Sequence, residues 1–426
     1  MITQSYTLKQ HTRMLHFQGD QLNATLRATA VKPLFDRFLI ETAFENDFDK
    51  CKAFLVGCNE VGDEELRRKF DAGFRALNYK LKITVAGQHE SRSTHSMNAN
   101  GKSRSTCPMY FGNETYTVYG DIKVDFVFPT ATKELGGYVD KHFSKFINFR
   151  NFGIRATKGY GSFTLDGSGN MPELYITFEA RKSEKEVEDQ IDLFYKTIRS
   201  GINMTRKDQD GKRKDGYYFK SMLYSYIEHL SSNLRWDKKV IKNHYLGPRQ
   251  NDKEQIADAN KKDYRDLLGL SSAETWGYYN MMLHKEIDGV ARYPSPIVFK
   301  PVKIEDGQWR IYIILGEVPE KILNRDVLVK ASLTPNSRYA PKLINGFQEK
   351  QNQLQGLKTP TEFSLNDYFN FLFKERPSEV SEEDWFKAKD IDDRFVKYTL
   401  QTWQESQIRN IVKFYKKLRN AYNSVK

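Results

Sequence analysis

The chain has 426 residues, of which 39% are hydrophobic, 13% aromatic and 29% charged, enough for two domains with sizeable cores and too aromatic for wholesale disorder. Its formal net charge of +12 points to a polyanionic partner, nucleic acid first, against the alternative of a surface kept basic for solubility. No run of about 18 apolar residues occurs and the first residues form no apolar signal region, so no membrane partner is expected and the expected location is cytoplasmic.

In chain order, β character comes first, at Tyr6 to Leu8 and Met14 to Phe17, followed by a polar turn at Gln18-Gly19-Asp20. From Val31 onward Leu34, Phe35, Phe38 and Leu39 fall at helical spacing, with Pro33 tolerable in a first turn. Asp63 to Leu77 carries Leu66, Phe70, Phe74 and Leu77 on one helical face. Tyr79 to Ala86 alternates as a strand does. Gly87 to Cys107 is rich in Ser, Asn, Gly and His with Glu90 as its single acid, and predicts a flexible insertion over 87–114. Alternation returns over Thr115 to Phe128. A helix is predicted over Tyr138 to Phe149, and Leu174 to Phe178 reads as a compact strand.

The order β, α, β, insertion, β, α, glycine-rich segment, β matches a βαββαβ unit. The predicted fold class is therefore α+β: a ferredoxin-like, RNA-recognition-motif-like domain over 1–182, then a helix-rich second α+β domain over 183–426 that is a degenerate second ferredoxin-like unit or an unrelated one. Within 183–426 a helix starts after Ser183, Met204 to Gly216 reads as a charged loop, and Tyr217 to Leu234 and Asp252 to Leu268 read as helices. A hairpin is predicted near 296–316 and a basic amphipathic helix over Gln404 to Tyr422.

The richest stretch is 150–163, Arg-Asn-Phe-Gly-Ile-Arg-Ala-Thr-Lys-Gly-Tyr-Gly-Ser-Phe. Gly153, Gly159 and Gly161 allow close backbone approach. Arg150, Arg155 and Lys158 supply charge, and Phe152, Tyr160 and Phe163 supply faces for a base. A plain glycine-rich turn with solvated charges is the competing reading, as a solvated loop is for Arg206, Lys207, Lys212, Arg213 and Lys214 among their aspartates.

Three places carry a family resemblance: Met14 to Gly19, Thr25 to Leu34, and the glycine-rich Gly153 to Phe163. Together they resemble the RAMP superfamily, the ferredoxin-like RNA-binding subunits of CRISPR–Cas effector complexes. Arg292-Tyr293-Pro294-Ser295-Pro296 is similar to a segment in the first subunit of Cmr-type (type III-B) complexes. Pro33 departs from the pattern, where a glycine is usual after Lys32. The resemblance implies a non-catalytic subunit in antiviral defence that contacts guide RNA and target RNA and docks other Cas effector subunits. It implies RNA contacts at His16, Gln18, Arg27, Lys32, Arg150, Arg155, Lys158, Gly159, Tyr160, Gly161 and Phe163.

Some superfamily members are metal-independent endoribonucleases that use an early histidine, so cleavage of guide precursors through His16 is the alternative function. His11 lies near it, and no second catalytic partner stands at a diagnostic spacing. Asp20 matches the cleaving aspartate of type III backbone subunits poorly. A general RNA-binding protein outside CRISPR keeps the charge argument without the family. Cys51, Cys58 and Cys107 have no usual ligand spacing and read as free thiols. Neither a phosphate-binding Gly-x-x-x-x-Gly-Lys motif nor His-Glu-x-x-His occurs, so no cofactor and no metal are expected.

Overall fold

The computed structural model describes residues 1–16, 24–97, 101, 103–110, 112–165, 169, 171–179, 183–207, 213–231, 233–246, 261–276, 281–305, 307–333, 353–354, 356–373 and 402–425. They divide into two units, Met1–Asp189 with Val298–Ile314, and Gln190–Ile297 with Leu315–Lys426. Mixed helices and antiparallel sheets make the class α+β. No helix among the described residues is long and apolar enough to cross a membrane.

The first unit begins with β1 (Ile2–Gln10), β2 (Met14–Leu15), α1 (Ala28–Thr42), a short α2 (Phe48–Cys51), α3 (Asp63–Asp71) and β3 (Lys80–Val85). The insertion follows with β4 (Glu90–Ser93), β5 (His95–Met97) and β6 (Ser103–Ser105). Next come β7 (Tyr116–Tyr119), β8 (Ile122–Phe128), α4 (Leu135–Asn148), β9 (Phe163–Leu165) and β10 (Tyr175–Glu179). The main sheet has the order β3-β8-β1-β9 and is antiparallel throughout.

Alternation decides which face of that sheet is covered. Ile122, Val124, Phe126 and Phe128 of β8 are buried, and Val124 stands opposite Tyr6 on one side and Ile83 on the other. The helices close over them: Phe35 of α1 and Phe143 of α4 meet Phe126 at ring-centroid distances of 5.6 and 5.0 Å and each other at 5.3 Å. Each such edge-on pair adds about 1 kcal/mol beyond its buried area. Helix α1 starts at Ala28, three residues before the apolar spacing indicated, which puts Pro33 beyond the first turn.

Two expectations for this unit are corrected. The strand at Leu174 to Phe178 exists as β10, but it is not the fourth member of the main sheet; that place belongs to β9, which leaves the glycine-rich segment directly. β10 pairs instead with β16 (Gln308–Leu315), itself beside β15 (Ile297–Glu305). The pairing sets Ile176 beside Ile311 and Phe178 beside Trp309, so the apolar residues of both strands share one face. The hairpin expected inside the second domain therefore lends Val298–Ile314 to the first unit. The 87–114 insertion, expected as a loop, contains sheet structure. β4 joins β7 and β2 in a three-stranded sheet, β5 pairs with β6, and Cys107 and Tyr110 pack against Leu15 and Tyr160.

The second unit holds most of α5 (Glu184–Arg199), the hairpin β11 (Ile202–Lys207) with β12 (Arg213–Phe219), then α6 (Met222–Leu230) and α7 (Asp237–Leu246). The stretch Met204 to Gly216 is thus mostly strand rather than loop, and Tyr217 to Phe219 continue it where a helix was expected. Lys212 lies outside the described residues. Of the helix expected over Asp252 to Leu268, residues 252–260 lie outside the described residues, and the rest forms only a short 3-10 turn at Arg265–Leu268. A sheet of β13 (Ala273–Trp276), β14 (Met281–Ile287), β17 (Val327–Leu333) and β18 (Gln353–Leu354) follows. Helix α8 (Leu365–Phe373) meets α9 (Thr402–Val425) where Tyr422 bonds Asn370 at 2.9 Å.

Beside that sheet lies a buried ion network. Lys285 reaches Asp266 at 2.7 Å, Asp263 at 3.1 Å and Asp237 at 3.3 Å, while Arg265 holds Asp237 and its Nη1 donates to both carboxylate oxygens of Glu274, at 2.8 and 2.7 Å. Four acids face Lys285, Arg265 and Arg199, one more than these three cations, and burial with the neighbouring Asp266 charge raises the pKa of Asp263. Removing one member would leave a desolvated charge behind.

Candidate nucleic-acid interface

The glycine-rich segment 150–163 is a loop built by backbone proximity. Ile154 N–H donates to Leu15 O, Gly161 N–H to Arg13 O, Phe152 N–H to Gly161 O and His11 N–H to Ser162 O, all at 2.8–3.0 Å. The two arms pair with each other, and the segment after β1 bonds to both. Two glycines are demanded by this closeness. At Gly161, with φ +65°, a Cβ would fall 1.9 Å from Phe152 O; at Gly153, with φ +89°, it would fall 2.4 Å from Leu15 O.

The mouth of the loop is pinned from β15. Lys300 is wholly buried, and its Nζ donates to Phe163 O at 2.7 Å, Arg150 O at 2.9 Å and Asn151 Oδ1 at 3.5 Å. Burial lowers its pKa to about 7; the three oxygens match the three donors of the ammonium form. Asn151 donates to Ala156 O and Phe299 O at 2.8 and 2.7 Å. Phe299 N–H returns a bond to Thr157 O, and Lys158 bridges Phe299 in parallel, so the loop extends the β15 sheet by one step.

Arg13 is a second anchor. Its guanidinium pairs with Glu188 and donates to Thr106 O, its N–H donates to Glu184, and it lies 6.0 Å from the Tyr160 ring centre. Burial alone would lower its pKa, but the Glu188 carboxylate holds it above the ordinary arginine value. Burial and the neighbouring Glu188 charge push Glu184 up to about 7.

The residues expected to touch RNA divide accordingly. Tyr160 and Phe163 are buried, Tyr160 donating to Pro108 O at 2.7 Å and Phe163 packed in the main core with Phe152. The base-stacking role expected for these three rings is corrected, since their faces are covered by protein. Lys158 is only 6% exposed. Gly159 and Gly161 serve through backbone, Gly159 O accepting from Thr12 Oγ1. Arg150 lies over the Phe146 ring, and desolvation lowers its pKa. Lys32 points inward, donating to Asp36 at 2.6 Å and Leu77 O at 2.8 Å above the Tyr79 ring.

Arg155 remains exposed at the loop tip in the left-handed region, φ +60°, and Arg27 is exposed where α1 begins. Two hydrogen bonds relate them: Ile154 N–H donates to Leu15 O, and the side chain of the adjacent His16 donates from Nε2 to Thr25 O at 2.9 Å, two residues before Arg27. His16 is itself buried. His11 is held neutral, accepting at Nδ1 from Lys303 N–H and donating from Nε2 to Thr164; burial, with Lys300 and Lys9 nearby, takes its pKa down to about 3. Gln18 and Asp20 lie outside the described residues. Among the described residues no group of three or more His, Cys, Asp or Glu is disposed to hold a metal, and all three cysteines are free thiols.

The family models agree with this chain over most of its length. One described as the Cmr1 N-terminal domain matches residues 1–202, and one described as the Cmr1 C-terminal domain matches 218–397. The chain belongs to the Cmr1 family. It is accordingly a subunit of a type III-B CRISPR effector. A crystal structure of Cmr1 from Pyrococcus furiosus in the apo form aligns over 87% of this chain and 96% of its own, at 9% identity and a TM-score of 0.33. No protein of curated function matches this Cmr1-family sequence.

Sequence reasoning missed Arg13, Asn151 and Lys300 as the residues that shape the loop. Only Lys300 left a signal, a single lysine inside the apolar run Ile297-Val298-Phe299-Lys300-Pro301-Val302. Arg13 sits in an ordinary strand connection and shows none.

Proposed function

We propose that this Cmr1-family chain is a non-catalytic subunit that grips single-stranded guide or target RNA through its first unit while other Cas subunits dock elsewhere on it. The observation that carries this is the loop 150–163, closed by Lys300 and by the strand connection at Arg13, which presents Arg155 to solvent from a fixed backbone. Fixing the backbone before RNA arrives reduces the ordering cost of binding. The net charge of +12 supplies the long-range attraction.

A ferredoxin-like reading of the first unit is supported by the antiparallel order β3-β8-β1-β9 with α1 and α4 packed on one face. Buried His16, its Nε2 engaged by a carbonyl, suits a positioning role for the segment that leads to Arg27.

Salt-dependent binding tests the proposal. Arg155→Glu combined with Arg27→Glu should weaken single-stranded RNA binding and lower the salt slope by roughly 0.7 for each phosphate the variant no longer neutralises. An unchanged slope would sink the loop assignment.

A further inference from the structure

The rings expected to stack on bases are buried in the loop, yet a flat exposed surface exists one sheet away. β10 and β16 form an amphipathic ribbon. Ile176, Trp309 and Ile311 face inward, while Tyr175, Thr177, Gln308 and Arg310 face solvent. Tyr175 stands directly opposite Tyr312, which is buried, with ring centres 5.3 Å apart, and Thr177 stands opposite Arg310. The Arg310 guanidinium lies over the Tyr175 ring at 5.1 Å, and Tyr175 is 38% exposed.

We propose that Tyr175 and Arg310 form a stacking platform for an unpaired base of the RNA whose phosphates the loop holds; the inference rests on the RNA-binding reading above. An exposed tyrosine and an exposed guanidinium are the two flat groups on which proteins stack splayed-out bases, irrespective of base identity. Location supports the assignment. Residues 157–158 add to β15, and β15, β16 and β10 follow in order. Three strand spacings separate the loop backbone from β10, about 14 Å, a distance that a few nucleotides span. Chemistry supports it too. The outer face offers Tyr, Arg, Thr and Gln, with Glu179 on the ribbon and the exposed Glu173 and Glu305 at its margins opposing the charge.

The test uses the full chain and a single-stranded RNA carrying 2-aminopurine, whose fluorescence falls on stacking. Tyr175→Ala should weaken binding about tenfold and abolish the quenching, whereas Tyr175→Phe, which keeps the ring, should retain both. Arg310→Lys should lose part of the quenching with the salt slope unchanged. If Tyr175→Ala binds and quenches like the unmodified chain while the Arg155 and Arg27 variant is weakened, the platform is refuted and the loop reading stands. If the unmodified chain does not retain RNA, both are refuted. If Tyr175→Ala binds RNA normally but no longer assembles with the other effector subunits, the face belongs to a protein neighbour and the platform is refuted.

Discussion

Lys300 Nζ donates to the carbonyl of Phe163 across 137 positions of sequence, at 2.7 Å, and to that of Arg150 at 2.9 Å. One side chain thereby ties together the first and last residues of the glycine-rich loop. Few substitutions separate the loop's architecture from its charge as cleanly, because Lys300 is buried and touches no solvent.

Replacing it should release the mouth. Lys300→Met keeps the stem and removes the donors, leaving buried carbonyls without their partner, at a cost of about 2 kcal/mol. Denaturant unfolding should register that loss. Hydrogen exchange should speed up first at the amides of Phe152, Ile154 and Gly161, which depend on the closed loop. Uniform acceleration across the first unit instead would show that Lys300 supports the core generally.

The two glycine positions give a sharper contrast. Gly161→Ala forces a Cβ to within 1.9 Å of Phe152 O at a positive φ, so the loop must open; a loss of about 3 kcal/mol or failure to fold is expected. Gly137→Ala, in α4 with nothing within 4 Å, should stabilise by about 0.5–1 kcal/mol through helix propensity. Thermal melts of the two variants should move in opposite directions.

Acidity should act through Glu184. Its pKa stands near 7 in the fold against about 4.3 in an unfolded chain, so the folded state holds the proton more tightly. That contribution is complete below about pH 4.3 and disappears as pH rises through 7. The unmodified protein should lose stability across this window, on the order of 1 kcal/mol once solvent screening of a half-buried group is allowed for. Glu184→Gln, which can still accept from Arg13 N–H, should show a flatter profile in melts from pH 4 to 8. Parallel profiles would assign the slope to other groups.

Apolar periodicity made the first unit readable. Ile122, Val124, Phe126 and Phe128 alternate, and Phe35 and Phe143 sit at helical spacing, so the sheet and its helices were legible from the chain alone. What could not be read is long-range. β9 is three residues long and carries no period. β10 alternates well, yet nothing local tells it that its partner strand is β16, with Ile176 beside Ile311. In the loop, glycine, charge and aromatic composition identified the right segment but not the direction of its side chains. Tyr160 turns inward because Leu15 and the insertion at Cys107 and Tyr110 offer it apolar company, and Phe163 because it joins Phe152 in the main core. In the second half, Met204 to Gly216 was too polar to betray a hairpin.

The return of Val298–Ile314 to the first unit has a consequence for how the protein is made. A ribosome that has finished Asp189 has yet to add Phe299 and Lys300, and must translate more than a hundred further residues before they emerge. At roughly 5–20 residues per second, the nascent first unit waits on the order of ten seconds with the loop mouth untied. Throughout that interval the apolar face of β10 has no partner strand on the chain already made.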